Sequence, residues 1–481
     1  MDNDTIKEWV SRVEEIASKI SNEMVFFELE LGSVDSQFIK TIYQSSNLKN
    51  YNYYLAFNQK TAKFNLSEKE EQLINSKNLT GSRAFQQLYN EVTSEFEFEF
   101  EIDGKLKKMN GSELRSLRNH EDPEVRKRAM NLFLNKYKEN KLILTHIYNN
   151  ILKDYSLEKN LRGYESPISI RNSNQDLPDK AVKVLHDVTT ESYKLVQRYY
   201  KLKAKILKVP KLTLSDIYAP MPQTKKLFSY EEAKTIVLEG FKAFDKEFYD
   251  LANTMFNENR IDAPVNPKKR GGAFCYASSP KIKPYVMLNY LGQPRDVTTL
   301  AHELGHAIHD MLSAKKQTLL NFHPVLPLAE TASVFSEMLI TDCIFKKETD
   351  PLLKQALLTE KLEDIFATSH RQNSFSRFEI KTHDQVEKKR LSTSDLCKLY
   401  QEELNLMFKD VVECPSIYQW EWAAIPHIFD WPFYVYSYNF GNLLVIAFYQ
   451  QYIEEGEAFI PKFKNVLESG SSQSPADIIK N

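Results

Sequence analysis

Between Thr298 and Met311 the chain reads T-T-L-A-H-E-L-G-H-A-I-H-D-M. Val297, Leu300, Ala301, Leu304, Ile308 and Met311 recur at helical spacing, so this stretch is expected to be a buried helix. Imidazoles and a carboxylate on such a helix are costly unless they pair or bind something. His302, Glu303 and His306 stand in the order H-E-x-x-H. Residues four apart lie about 40° apart around a helix and one turn along it, so both imidazoles can reach one ion. Glu303 projects beside that face, where a water on the ion would sit. The ligand types favour one zinc ion, with Glu303 as the general base. His309 lies a whole turn beyond His306 and is expected to pack or to support a ligand rather than to be one.

A site of this kind needs a third protein ligand and an open fourth position. Pro324 and Pro327 end the helical pattern, and L-A-E-T-A-S-V-F-S-E-M-L-I-T then begins a second helix. Glu330, at the start of that helix and among apolar neighbours, is the best candidate ligand. Glu337, seven residues on, falls on nearly the same face and could complete the site by orienting a ligand imidazole.

The rest of the composition suits a helical chain. Only 13 of 481 residues are glycine, well under half the usual share of about 7%. Hydrophobic residues at 42% give ample material for a core, and a net charge of −2 argues for neither a nucleic-acid nor an acidic-membrane partner. No apolar run approaches the ~18 residues of a membrane span. The four cysteines have no paired spacing and the start is polar, so a reduced, cytoplasmic setting is expected.

Along the chain, helical patterns dominate the first part, up to about residue 205. The exception is S-E-F-E-F-E-F-E-I-D, Ser94 to Asp103, whose strict alternation followed by Gly104 predicts a β-hairpin near 94–110. Residues 206–481 hold the metal motif. Just ahead of it, Pro284-Tyr-Val-Met-Leu-Asn-Tyr290 suits a strand, expected to be an edge that holds an extended peptide by backbone pairing. Gly271, Gly272, Tyr285 and Met287 are the substrate-binding candidates there. A late run, I-P-H-I-F-D-W-P-F-Y-V-Y-S-Y-N-F-G, offers His427 and Tyr434, Tyr436 and Tyr438. Imidazole N–H and phenol O–H groups are suitable donors to an oxyanion formed in peptide hydrolysis.

These motifs together, Gly271-Gly272-Ala-Phe, P-Y-V-M-L-N-Y, T-L-A-H-E-L-G-H-A-I-H, L-A-E-T-A-S-V-F-S-E and P-H-I-F-D-W-P-F-Y-V-Y-S-Y, resemble oligoendopeptidase F, a relative of thimet oligopeptidase among the zinc peptidases. S-R-F-E at 376–379 with His383 also fits that family, without an evident role. The resemblance implies a mainly α, two-lobed peptidase with a deep channel, a small β element near the zinc, and short unfolded peptides as substrates. It implies His302, His306 and Glu330 as ligands, Glu303 as base, and His427 with Tyr434 or Tyr436 as catalytic donors. Tyr438 is expected to bind substrate, and Glu337 and His309 to support the ligands. Against that family the chain begins roughly a hundred residues late and stops early, so part of a channel wall is expected to be missing. A helical metallocarboxypeptidase and an inactive peptide-binding scaffold are the alternative readings. Oligomeric state has no signature in the sequence.

Overall fold

The computed structural model describes residues 3–221, 226–266, 269 and 272–480. Helices dominate it and the strands are short, the mainly α architecture that the scarcity of glycine favours. The chain forms two compact units, each assembled from three segments. The first comprises Met1–Ile39, Leu55–Pro220 and His370–Tyr436; the second comprises Lys40–Tyr54, Met221–Ser369 and Ser437–Asn481.

In the first unit the expected hairpin is present. Glu97–Ile102 pairs antiparallel with Lys105–Asn110, with Ile102 opposite Lys105. Phe98, Phe100 and Ile102 are buried while the intervening glutamates face solvent. Asp103 and Gly104, with φ of 54° and 70°, supply the left-handed pair that a two-residue turn requires. The expected helix start at Asp122-Pro123 also holds: the Asp122 carboxylate accepts from the Glu124 N–H, capping Pro123–Glu139. Lys141–Arg162, Pro167–Asn174, Asp179–Glu191 and Thr393–Phe408 pack around Gln372–Val386, the helix that carries Ser376–Glu379 and His383.

The second unit contains a three-stranded sheet in which Tyr285–Met287 is central. It pairs parallel with Ile261–Asp262 on one side and antiparallel with Phe274–Tyr276 on the other. The expectation that Tyr285–Met287 is an edge is therefore wrong. Its backbone is already engaged on both sides, and the outer position next to the metal motif belongs to Phe274–Tyr276. The sequence around Phe274 is too short and too interrupted to read as a strand; pairing with its neighbour is what makes it one.

Two helices frame the metal motif. Pro294–Lys316 carries it, opened by Pro294 and by a capping box between Gln293 and Asp296. Thr331–Lys347 follows, with Glu330 at its N-cap position. Their crossing is closest at Gly305, where a Cβ would lie 2.6 Å from both the Ala332 carbonyl oxygen and the Ser333 Cα. Val297, Leu300, Ala301, Leu304, Ala307 and Ile308 are wholly buried in the core around them. Phe335 anchors the second helix in an aromatic cluster, its ring 4.3 Å from that of Phe463.

Gly305→Ala is expected to cost about 1–3 kcal/mol in urea unfolding, because backbone rather than a flexible side chain must give way. Metal affinity should fall with it. Unchanged stability and affinity would show that the helices tolerate a wider crossing.

Candidate metal centre

The close crossing brings three ligand atoms together. His302 Nε2 and His306 Nε2 are 3.2 Å apart, and Glu330 Oε2 lies 3.5 Å from the first and 3.3 Å from the second. Tetrahedral ligands at the usual zinc–nitrogen and zinc–oxygen distances are separated by about 3.3 Å. The set fits a single zinc ion, with room for a further ligand on the cavity side. Among the described residues it is the one such group of histidine, cysteine and carboxylate donors. Ser333 Oγ donates to Glu330 Oε2 at 2.8 Å and fixes that carboxylate at the head of its helix.

The outer nitrogen of His302 is also fixed. Nδ1 lies 2.5 Å from Glu337 Oε1, and Lys361 Nζ donates to Glu337 Oε2 at 2.8 Å. Seven residues separate Glu330 from Glu337, which leaves both on one face, as the sequence predicted. Lys361 was not foreseen. It stands on another helix, Pro351–Ile365, and nothing local in the sequence ties it to Glu337.

Burial opposes charge on every one of these groups, and the partners decide the outcome. Glu337 is held down at about 2 by Lys361 and His302 in spite of its burial. Glu330 is likewise held at about 2 against its burial, mainly through His306. His302, also penalised by burial, is raised to about 9 by Glu337 and the neighbouring carboxylates. Glu303 behaves in the opposite way. Burial raises its carboxyl above the ordinary range, only partly offset by His302 and His306. It is 5% exposed and its Oε2 has no hydrogen-bond partner. His309 is buried with Nε2 unpartnered, and burial drives it down to about 3, so it is a neutral ring in the helix interior.

A cavity of about 580 Å³ opens over His302, Glu303 and Glu330, lined also by Gly272, Tyr438 and Lys361. A second, of about 490 Å³, runs along Phe274–Tyr276 to His306 and His323. There Cys275 Sγ meets Asp310 Oδ2 at 3.9 Å, another contact not foreseen. Tyr438 reaches the first cavity from Tyr436–Glu455, whose Gly441 abuts Glu330 Cβ at what would be 3.6 Å from a Cβ.

Two expected substrate-binding residues, Tyr285 and Met287, line neither cavity. Tyr285 and Met287 lie in the central strand of the adjoining sheet, and Gly271 lies outside the described residues. His427, Tyr434 and Tyr436 belong to the first unit. There the rings of His427 and Tyr434 are nearly parallel with centroids 6.1 Å apart. Tyr436 is wholly buried and its hydroxyl has no hydrogen-bond partner.

A helical fold with a His-Glu-x-x-His helix and a glutamate from the next helix defines a metallopeptidase class, and the comparisons agree. The model of peptidase family M3 matches residues 116–481, and the one described as Oligopeptidase F matches residues 30–98. The chain belongs to peptidase family M3 and is a metallo-oligopeptidase. An oligoendopeptidase F homolog of Borreliella burgdorferi is 27% identical over 96% of this chain and 78% of its own length. One from Lactococcus lactis is 27% identical over 98% and 79%. The crystal structure of oligoendopeptidase-F from Enterococcus faecium shares the fold, with a TM-score of 0.78 at 21% identity over all of this chain and 81% of that one.

Glu337→Gln, which keeps the shape and removes the charge, is expected to weaken metal binding about 10–100-fold in competition with a chelator. Far-UV circular dichroism should be unaltered. Undiminished affinity would mean that His302 holds its orientation without this carboxylate.

Proposed function

We propose that the protein is a zinc-dependent endopeptidase that hydrolyses internal bonds of short, unfolded peptides. The observation that carries this is the pairing of a three-atom group at zinc spacing with a buried Glu303 beside it, whose Oε2 has no hydrogen-bond partner. Zinc bound by His302, His306 and Glu330 would supply a Lewis acid for the scissile carbonyl and acidify a water.

Glu303 is the general base. Its carboxyl is raised by burial, which makes it a stronger base; it takes a proton from the attacking water and delivers that proton to the leaving amine. Phe274–Tyr276 lines the second cavity, Gly272 and Ala273 ahead of it line the first, and the strand is the template on which an extended peptide pairs its backbone. The resemblance to oligoendopeptidase F is what supports His427 and Tyr434 as donors to the oxyanion, and Tyr438, which lines the metal cavity, is the substrate contact. The burial of Tyr436 argues against a direct role for its phenol. No helix among the described residues is long and apolar enough to cross a membrane. All four cysteines are free, which fits a reducing cytoplasm.

Glu303→Gln is expected to retain one equivalent of zinc while kcat falls by a factor on the order of 10² or more on a quenched fluorescent peptide. Near-normal turnover would remove the base assignment. Mass spectrometry of digests of a free and a C-terminally amidated peptide tests the endopeptidase reading. Internal cleavage of both supports it; stepwise C-terminal trimming abolished by amidation would make the protein a carboxypeptidase. Zinc bound without cleavage across a varied peptide set would leave a binding scaffold.

A further inference from the structure

Between His427 and Tyr434 the backbone takes an uncommon course. Phe433, buried and not glycine, has a φ of 57°. That left-handed conformation is strained for a bulky side chain and persists only where surrounding structure holds it. Three side chains do so. Glu379 Oε1 accepts the Phe433 N–H at 2.9 Å. His383, four residues later on the same helix and so on the same face, sets its ring 4.5 Å from that of Phe433. Arg171 donates twice to the Pro432 carbonyl, at 3.1 and 3.0 Å.

His383 shares this contact with Tyr155, whose ring lies 5.2 Å from that of His383 and 5.8 Å from that of Phe433. Glu379 and His383 are wholly buried; Glu379 Oε2 and both His383 ring nitrogens have no hydrogen-bond partner. Burial drives His383 down to about 3, so it packs as a neutral ring. Burial also raises Glu379 to about 8, opposed by the Phe433 N–H and Arg171, and either protonation state leaves Oε1 able to accept. Burying a glutamate and a histidine with these atoms unpaired is costly. On the other side of Phe433, the Tyr434 N–H closes onto the Trp431 carbonyl and the Trp431 N–H onto that of His427. The gripped residue is thus joined by two short backbone links to the paired His427 and Tyr434 rings.

We propose that Glu379 and His383, the unassigned pair of the S-R-F-E…H segment, grip Phe433 in its left-handed turn and thereby position His427 and Tyr434 for reaction. They are positioning residues, and the inference rests on the donor role proposed for His427 and Tyr434.

The test measures kcat and KM on a quenched fluorescent peptide with the zinc-loaded full chain, together with hydrogen exchange of residues 427–436. Glu379→Ala is expected to lower kcat on the order of tenfold or more with KM within about threefold, and to speed exchange in that segment. Glu379→Gln, which keeps the acceptor oxygen, should stay within about threefold of the parent enzyme in kcat. On a His427→Ala background, Glu379→Ala should cost less than about twofold more, because the two act as one unit. Should Glu379→Ala fail to fold, Arg171→Met provides the same kcat-selective loss. Normal kcat in these variants, with turnover lost in His427→Ala, would overturn the grip and leave the proposed function standing. Full turnover in His427→Ala would instead overturn the donor role, and the grip's purpose with it.

Discussion

The candidate metal centre depends on how closely two helices approach. An internal helix glycine ordinarily costs about 1 kcal/mol relative to alanine. Gly305 is there because no Cβ fits against the backbone at Ala332 and Ser333. With the axes that close, a carboxylate at the head of the second helix reaches both imidazoles of the first. A second carboxylate, two turns along, reaches the back of His302. Phe335, between Glu330 and Glu337 in sequence, is wholly buried and fastens that helix to the aromatic core on its other side. Packing on one face thus sets the ligand geometry on the opposite one.

Three glutamates share this small volume, and their surroundings give them different properties. Glu330 and Glu337 face cations or imidazoles and are held ionised, as partners for a metal and for a ligand ring. Glu303 is raised by burial and left with an unpartnered oxygen, the condition that suits its proposed role in proton transfer. The proposed division between binding and proton transfer therefore follows from environment rather than residue type.

The late aromatic run shows how little spacing alone says about a short segment. Tyr434 precedes the helix and pairs its ring with His427. Tyr436 and Tyr438 both lie on Tyr436–Glu455, two residues and so about 200° apart, which turns them to opposite sides. One is buried without a hydroxyl partner, and the other lines the metal cavity. In the sequence Tyr434 and Tyr436 are interchangeable as donors; the start of the helix separates them.

The sequence by itself determined the helix of His302 and His306, the grouping of these two with Glu330, Glu337 behind them, the hairpin and the predominance of helix. Each is written in local periodicity or in residue spacings within one or two helices, where geometry is nearly fixed by covalent structure. Tertiary structure alone decided that Phe274–Tyr276 rather than Tyr285–Met287 holds the sheet's outer position, because an edge is defined by which neighbours pair. It also brought Lys361 to Glu337, Glu379 to the Phe433 N–H, and residues 370–436 into one compact unit with the N-terminal helices. Those contacts join residues far apart in the chain through burial and charge, and neither periodicity nor spacing carries information about them.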